Sequence, residues 1–395
     1  MFRLQSWKRY QASIRENLRA FGLFIRELRF EARNCGLGTA ATANCRRVRC
    51  ERMKPSYTIN SVRRTSIFTL FLVIAGSCWS SDPVQLVKGP ISGHVHPSIA
   101  ISDRGTLVVA YKGGQVLKVS RSGDGGVNWS RPEAVLTTAI RPESIRAVKR
   151  YEVYPGTLDA LPDGRLLLTW NYIADERAKD GYYERALLYS VSADDGRRWS
   201  DQALIGPVER KHLGAVRHNV LPWRNGSWLL PLRVGPPRVY DPIAKTLTVY
   251  SLRPRDGGQH EFQQIIRTAN GMLLAMGPVL LRSADEGKSW TRVDFPVSPA
   301  QRDNLEGRFL TPLKDGGVVV TWGVGHKNKG LYFNHSADDG KTWSDEPVIL
   351  LPETPIAARY YSARVVQVDA GNIGVVYMNR SGVYFLKVPL NRLRP

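Results

Sequence analysis

Ser336-Ala-Asp338-Asp-Gly340-Lys-Thr-Trp343 is one of four stretches in the 395-residue chain that read S-x-D-x-G-x-x-W. The others open at Ser122, Ser192 and Ser283 and close on Trp129, Trp199 and Trp290. The template has the chemistry of a hairpin turn: Ser and Asp side chains bond nearby backbone N–H groups, and Gly takes a positive φ without a Cβ clash. The Trp is then expected to pack under the turn. A residue repeated identically at four separated places serves architecture, so these aspartates are not candidate catalytic groups.

Working outward from the four turns, a second repeat appears six times, each copy an extended segment, a turn and another extended segment ending in aromatic or apolar residues. The copies run from His96 to Tyr111, Pro155 to Trp170, His218 to Pro231, Phe262 to Met276, Phe309 to Trp322 and Tyr361 to Tyr377. Their turn glycines, Gly105, Gly164, Gly226, Gly271, Gly316 and Gly371, stand 59, 62, 45, 45 and 55 residues apart. That spacing fits one four-stranded antiparallel sheet per unit, so the expected fold is all-β, a six-bladed β-propeller. The third and sixth units lack the Ser-Asp template. The sixth also runs out of chain before a fourth strand, which Val84 to Lys88 can supply, closing the ring and protecting its last edge.

The composition, 43% hydrophobic and 23% charged, is that of a globular chain and excludes disorder. A net charge of +21 would suggest nucleic acid or membrane if it were even, but residues 1–81 hold 15 Lys and Arg against four acids, about half of the excess. Basic and aromatic residues are not interleaved beyond that leader, so no nucleic-acid partner is expected. Arg63-Arg64, the apolar run from Ile67 to Ala75 and the small residues after it have the layout of a secretory signal peptide, too short to span a bilayer. Met53 gives that signal a conventional length. The chain therefore divides into 1–52, a basic extension read as an overextended start, 53–80, the signal peptide, and 83–390, the propeller. Ala75-Gly-Ser-Cys78 resembles a degenerate lipobox, in which the Cys is lipidated; simple cleavage nearby is the alternative. Export to the periplasm, the outer membrane as a lipoprotein or the exterior follows, with membrane contact only through the signal or the lipid. All four cysteines precede residue 82, which leaves the propeller no disulfide framework, thiolate nucleophile or Cys-based metal site. No zinc spacing is present either, and neither a catalytic metal nor a cofactor is expected.

The S-x-D-x-G-x-x-W template is the Asp box, or BNR repeat, and with six units the chain resembles the sialidase (neuraminidase) superfamily over about residues 83–390. The resemblance implies a glycan substrate and a funnel lined by the beginnings of the inner strands. Tyr361-Ser362 followed by Gly374-Val-Val-Tyr377 resembles the Tyr-Ser of the last blade, which makes Tyr361 the nucleophile. Glu261-Phe-Gln263 resembles the Glu-x-Gln carrying its partner base. A phenol near pKa 10 needs such a base before it can attack. Other parts of the family pattern are missing. His94-Val-His-Pro97 stands where the first-blade arginine belongs, and the second and third arginines fall near Gly277 and Lys329. The general-acid Asp has no counterpart. Without a bidentate arginine clamp, the pattern fits a related enzyme acting on another acidic or decorated glycan.

The starts of the inner strands, taken by themselves, give a convergent set: His94 and His96, Tyr154, Arg217, His218 and Asn219, His260, Glu261 and Gln263, Glu306 and Arg308, Arg359 and Tyr361. Four of the seven histidines fall in these windows, and imidazoles suit acid/base work near neutral pH. The catalytic candidates are Tyr361, Glu261, His96 and His218, and the substrate contacts Arg217, Asn219, Gln263, Arg308, Lys329 and Arg359. Strand alternation places Arg364 on the face opposite Tyr361, outside this set. A glycan lyase or histidine-dependent glycosidase, with His96 or His218 acting together with Tyr361 in proton abstraction, and a non-catalytic carbohydrate-binding propeller are the alternative functions.

Overall fold

A computed structural model describes residues 82–393 except 91–94, 115, 136–150, 178–182, 209–215, 217, 233–234, 253–261, 263, 295–307, 324–329 and 352–360. The expectations for the basic extension, the signal peptide and Cys78 lie outside these residues.

Among the described residues, twenty-four strands form six four-stranded antiparallel sheets. After β1 (Val84–Lys88), blade 1 holds β2 (Ser98–Ile101), β3 (Leu107–Gly113), β4 (Val116–Ser122) and β5 (Glu133–Ala134). Blade 2 holds β6 (Tyr151–Ala160), β7 (Leu166–Arg177), β8 (Tyr183–Ser192) and β9 (Ala203–Leu204). Blade 3 holds β10 (Leu221–Pro222), β11 (Trp228–Leu230), β12 (Arg238–Asp241) and β13 (Thr246–Val249). Blade 4 holds β14 (Gln264–Arg267), β15 (Leu273–Met276), β16 (Leu280–Ser283) and β17 (Thr291–Val293). Blade 5 holds β18 (Phe309–Pro312), β19 (Val318–Gly323), β20 (Leu331–Ser336) and β21 (Val348–Leu351). Blade 6 holds β22 (Tyr361–Asp369), β23 (Asn372–Asn379) and β24 (Gly382–Pro389). Its outermost strand is β1, antiparallel to β24 with Val84 opposite Phe385 and Lys88 opposite Gly382, as the missing fourth strand required.

The sequence of each strand follows from its radial place. Each sheet is covered on both faces by its neighbours, so second strands do not alternate: all six residues of β19, Val-Val-Val-Thr-Trp-Gly, are buried. Outer strands are short, and those that meet solvent stand largely exposed, as in β5 and β13. The apolar core is correspondingly split into six clusters among the described residues, one between each pair of adjoining blades, including the pair that joins blade 6 to blade 1.

The Asp boxes are closed hydrogen-bonded turns. Ser122 Oγ accepts from Gly126 N–H at 2.9 Å and donates to Asp124 at 2.8 Å, Asp124 accepts from Asn128 N–H, and the Trp129 indole donates to Gly126 O at 3.0 Å. Boxes 192–199 and 283–290 repeat the full set, and 336–343 repeats its Ser and Asp bonds. These donors hold the Asp124 carboxyl down at about 2. Gly126, at φ 94°, admits nothing larger, since a Cβ would lie 2.1 Å from the Phe385 ring. The boxes sit where the inner strands end, because Arg104 in the β2–β3 turn reaches Asp195 in the neighbouring box. They are therefore remote from the starts of the inner strands.

Candidate functional site

Inner strands of neighbouring blades run side by side around the axis without sharing a ladder, and polar side chains bridge them instead. Ser98 Oγ accepts from Leu158 N–H at 2.9 Å, joining blades 1 and 2. Asp159 accepts from Val220 N–H at 3.0 Å, joining 2 and 3. Asn219 Nδ2 donates to Ile265 O at 2.7 Å, joining 3 and 4. The Gln264 amide both donates to Leu310 O and accepts from Leu310 N–H, joining 4 and 5, and Gln367 accepts from Lys314 N–H, joining 5 and 6. Each bridge satisfies a backbone group that a central channel would otherwise strand.

Inside this ring lies a cavity of about 270 Å³ walled by all six inner strands. Among the described residues its charged and titratable wall residues are Asp159, His218, Arg267 and Arg364. Two β-bulges aim them. In β6 the three steps from Pro155 to Leu158 oppose only two, Trp170 to Leu168, and in β22 Tyr361 to Arg364 opposes Met378 to Val376. An extra residue inverts the alternation beyond it. That corrects the placement of Arg364 off the site: its side chain, 7% exposed, lines the cavity. Gly156 is what permits the first bulge, since a Cβ there would lie 2.4 Å from Thr169 O.

Arg364 lies over the Phe309 ring, its guanidinium carbon 3.7 Å from the centroid, and the His218 imidazole packs on the same Phe309 with centroids 4.5 Å apart. Across from them Asp159 keeps part of its surface toward the cavity while protein encloses it. Burial pushes its carboxyl up to about 7, and the Thr157 hydroxyl, the Val220 N–H and the Arg364 charge pull less strongly the other way. Thr157 Oγ1 and Val220 N–H both donate to one oxygen, Oδ2. A carboxyl with a pKa near neutrality, beside a fixed cation, can both take up and release a proton under ordinary conditions.

The sequence candidates distribute unevenly over this geometry. His218 and Asn219 line the cavity, though the Asn219 amide already serves as an inter-blade bridge. His96 is half-buried before β2, its ring 5.2 Å from that of Tyr154, at φ 37° directly ahead of Pro97, a conformation that a residue preceding proline disfavours. Its alternation with His94 therefore does not apply, since it is not on a strand. Arg308 is buried, 1% exposed, and is not part of the cavity wall. Tyr361 opens β22, where the backbone alone is described. Arg217, Glu261, Gln263, Lys329 and Arg359 lie outside the described residues, as do His94, His260 and Glu306.

Aligned on their turn glycines, the six units share a polar position in the inner strand. Seven residues before each glycine stand Ser98, Thr157, Asn219, Gln264, Phe309 and Arg364. Five of these six are polar within otherwise apolar strands, which marks an axial ring. Five residues before the glycine, where the other units have Ala100, Leu221, Ile266, Thr311 and Val366, the second unit has Asp159.

No protein-family model matches the chain, and no curated protein matches it in sequence. Solved structures share its fold. A protein of unknown function from Dyadobacter fermentans superposes with a TM-score of 0.57 at 16% identity, over 78% of this chain and 98% of that one. The NanB sialidase of Streptococcus pneumoniae superposes at 0.55 and 9% identity, over 82% and 73%. An α-L-arabinanase from Penicillium chrysogenum, complexed with arabinobiose, superposes at 0.53 and 14%, over 79% and 99%. At these identities the likeness establishes the six-bladed propeller.

Proposed function

We propose that the protein is an exported glycoside hydrolase of sialidase-like design acting on an acidic or otherwise decorated glycan. The observation that carries this reading is the axial cavity, in which a carboxyl of near-neutral pKa, a histidine and an arginine stacked on an aromatic ring converge from four blades. A sialidase and an arabinanase propeller share the fold and lend the reading support. Tyr361 is the proposed nucleophile and Glu261 its base. Arg217 and Lys329 are the proposed anion contacts, with Asn219, Gln263 and Arg359 as polar contacts; Arg308, buried and off the cavity wall, is left out of the set. A neutral phenol avoids the repulsion that a carboxylate nucleophile meets at an anionic sugar, and the base removes its proton as it attacks. The missing arginine triad speaks for a sugar other than sialic acid in its usual pose.

A second reading, a lyase or histidine-dependent glycosidase, draws on His218, which shares the cavity with Asp159. Product release from a panel of fluorogenic glycosides, a sialoside included, separates them. Loss of activity in Tyr361→Phe and Glu261→Gln with no more than weakening in His218→Gln and His96→Gln supports the first reading, and abolition in either histidine variant supports the second. Binding without product from any glycoside leaves a carbohydrate-binding propeller. Sequencing the mature N-terminus of the exported protein tests cleavage near Cys78.

A further inference from the structure

The axial cavity departs from the repeat that builds it. Five residues before the turn glycine, four units carry the branched side chains of Leu221, Ile266, Thr311 and Val366. Blade 1 has Ala100 at this place and blade 2 has Asp159, so the wall is hollowed on one side and given a carboxyl there. The space, about 270 Å³, holds about nine waters at ~30 Å³ each, or one sugar ring.

The amide donors of the wall are already engaged: Asn219 Nδ2 with Ile265 O, Gln264 Nε2 with Leu310 O and Gln367 Nε2 with Asp369 O. Arg267 is ion-paired to Glu286, and His218 and Arg364 pack on Phe309. Two acceptors are left over. Ile265 O can only accept, which fixes the Asn219 nitrogen on it and leaves Asn219 Oδ1 buried without a hydrogen-bond partner. Asp159 receives Thr157 Oγ1 and Val220 N–H on Oδ2, and among the described residues Oδ1 receives no hydrogen bond. Ser98 Oγ, which accepts from Leu158 N–H, still has its proton to give. A hydroxyl suits all three groups because it both donates and accepts, and it suits Asp159 Oδ1 whether that carboxyl is charged or protonated. A ligand carboxylate would instead meet Asp159 in a poorly solvated space, and a ligand ammonium would meet Arg267 and Arg364.

We propose that the axial cavity binds a single neutral hexose, held through its hydroxyls by Asn219 Oδ1, Asp159 Oδ1 and Ser98 Oγ. The proposal takes its ligand class from the glycan reading and adds a sugar position separate from the proposed nucleophile. Tyr361 stands ten residues before its turn glycine and Asp159 five before its own, which sets the two at different heights along the axis.

The probes are D-glucose, D-galactose and D-mannose, each beside its uronate and its 2-amino form, titrated calorimetrically into the full-length protein. At least one of the hexoses should bind with one site per chain, at least tenfold more tightly than its two charged counterparts. Ala100→Val gives blade 1 the residue that the sixth unit carries at this place; it narrows the cavity and should weaken that binding at least tenfold with the melting temperature retained. Asp159→Leu, which introduces the residue of the third unit, removes Oδ1 and should abolish binding. This second variant also leaves the Val220 N–H without its acceptor, so Ala100→Val decides the matter if Asp159→Leu does not fold. The proposal is overturned if no hexose saturates at one per chain, if the charged counterparts bind as tightly, or if either folded variant binds the hexose as the wild type does. Product release is read separately. A protein that cleaves a glycoside and binds no hexose in the channel keeps the hydrolase reading and loses this one, and a protein that binds the hexose and cleaves nothing does the reverse.

Discussion

Replacing Asp159 by Asn should change how the stability of the protein depends on pH. In the fold its carboxyl titrates at about 7, against about 3.9 in an unfolded chain. Between those values the folded protein holds a proton that the unfolded chain has released, so stability falls as pH rises from 4 to 7 and is level above that. Three pK units at about 1.4 kcal/mol each set the fall at about 4 kcal/mol. The Asp-box carboxylates run the other way: their pKa values are lowered, so their contribution is lost as pH drops, below this window. Asn is nearly isosteric, retains an oxygen for Val220 N–H and cannot ionise. Urea denaturation of both proteins at half-unit steps from pH 4 to pH 8 measures the difference. The wild type should lose about 4 kcal/mol more than the variant across that range. Parallel curves would refute the reasoning, since they would mean that Asp159 ionises in the fold as easily as in water.

Other perturbations test the architecture. Gly156→Ala drives a Cβ to 2.4 Å from the Thr169 carbonyl, and since backbone blocks it on that side the variant should yield little folded protein, by circular dichroism, while Gly105→Ala, whose surroundings are open but whose φ is positive, should fold with a modest loss. Trp290, 1% exposed and bonded to Gly287 O, should cost about 3–5 kcal/mol on replacement by Ala in equilibrium denaturation; a cost below 1 kcal/mol would remove the boxes' structural role. Deleting the residues through Lys88 strips β24 of its partner and should lower the melting temperature and bring concentration-dependent aggregation, read by light scattering.

The blades were legible because their signals are local. A turn glycine and a Ser-Asp-Gly-Trp box fix a hairpin wherever they occur, and six copies 45 to 62 residues apart leave little but a ring. The vacancy in the last sheet even identified Val84 to Lys88 as its filler. The site was less legible because alternation, the rule that assigns faces along a strand, fails at a bulge. Arg364 was set aside on that rule, and the bulge between Tyr361 and Arg364 returns it to the axis. Asp159 was passed over for another reason: nothing in Thr-Leu-Asp-Ala-Leu-Pro distinguishes a buried carboxyl from a turn aspartate until the units are aligned and the residue falls among Ala, Leu, Ile, Thr and Val. Asn219 was found as a candidate contact, and its bridge to Ile265 was missed because the polar position it shares with Ser98 and Gln264 shows only once the units are aligned on their turn glycines.

The strand that completes blade 6 also fixes a timetable. Gln85 bonds to Ser381, 296 residues away, so during synthesis Val84–Lys88 emerges first among the strands and waits for the last hairpin. At about 5–20 residues per second that interval is roughly 15–60 s. Through it the five preceding blades stand as an open arc, with the flank of blade 1 that will meet blade 6 still wet. The cluster joining Ile99, Val109 and Tyr111 to Val376 and Phe385 can form only at the end. Closing so long a loop is slow, and the seam between the first and last residues of the ring is where a newly made molecule is most open to capture by other chains.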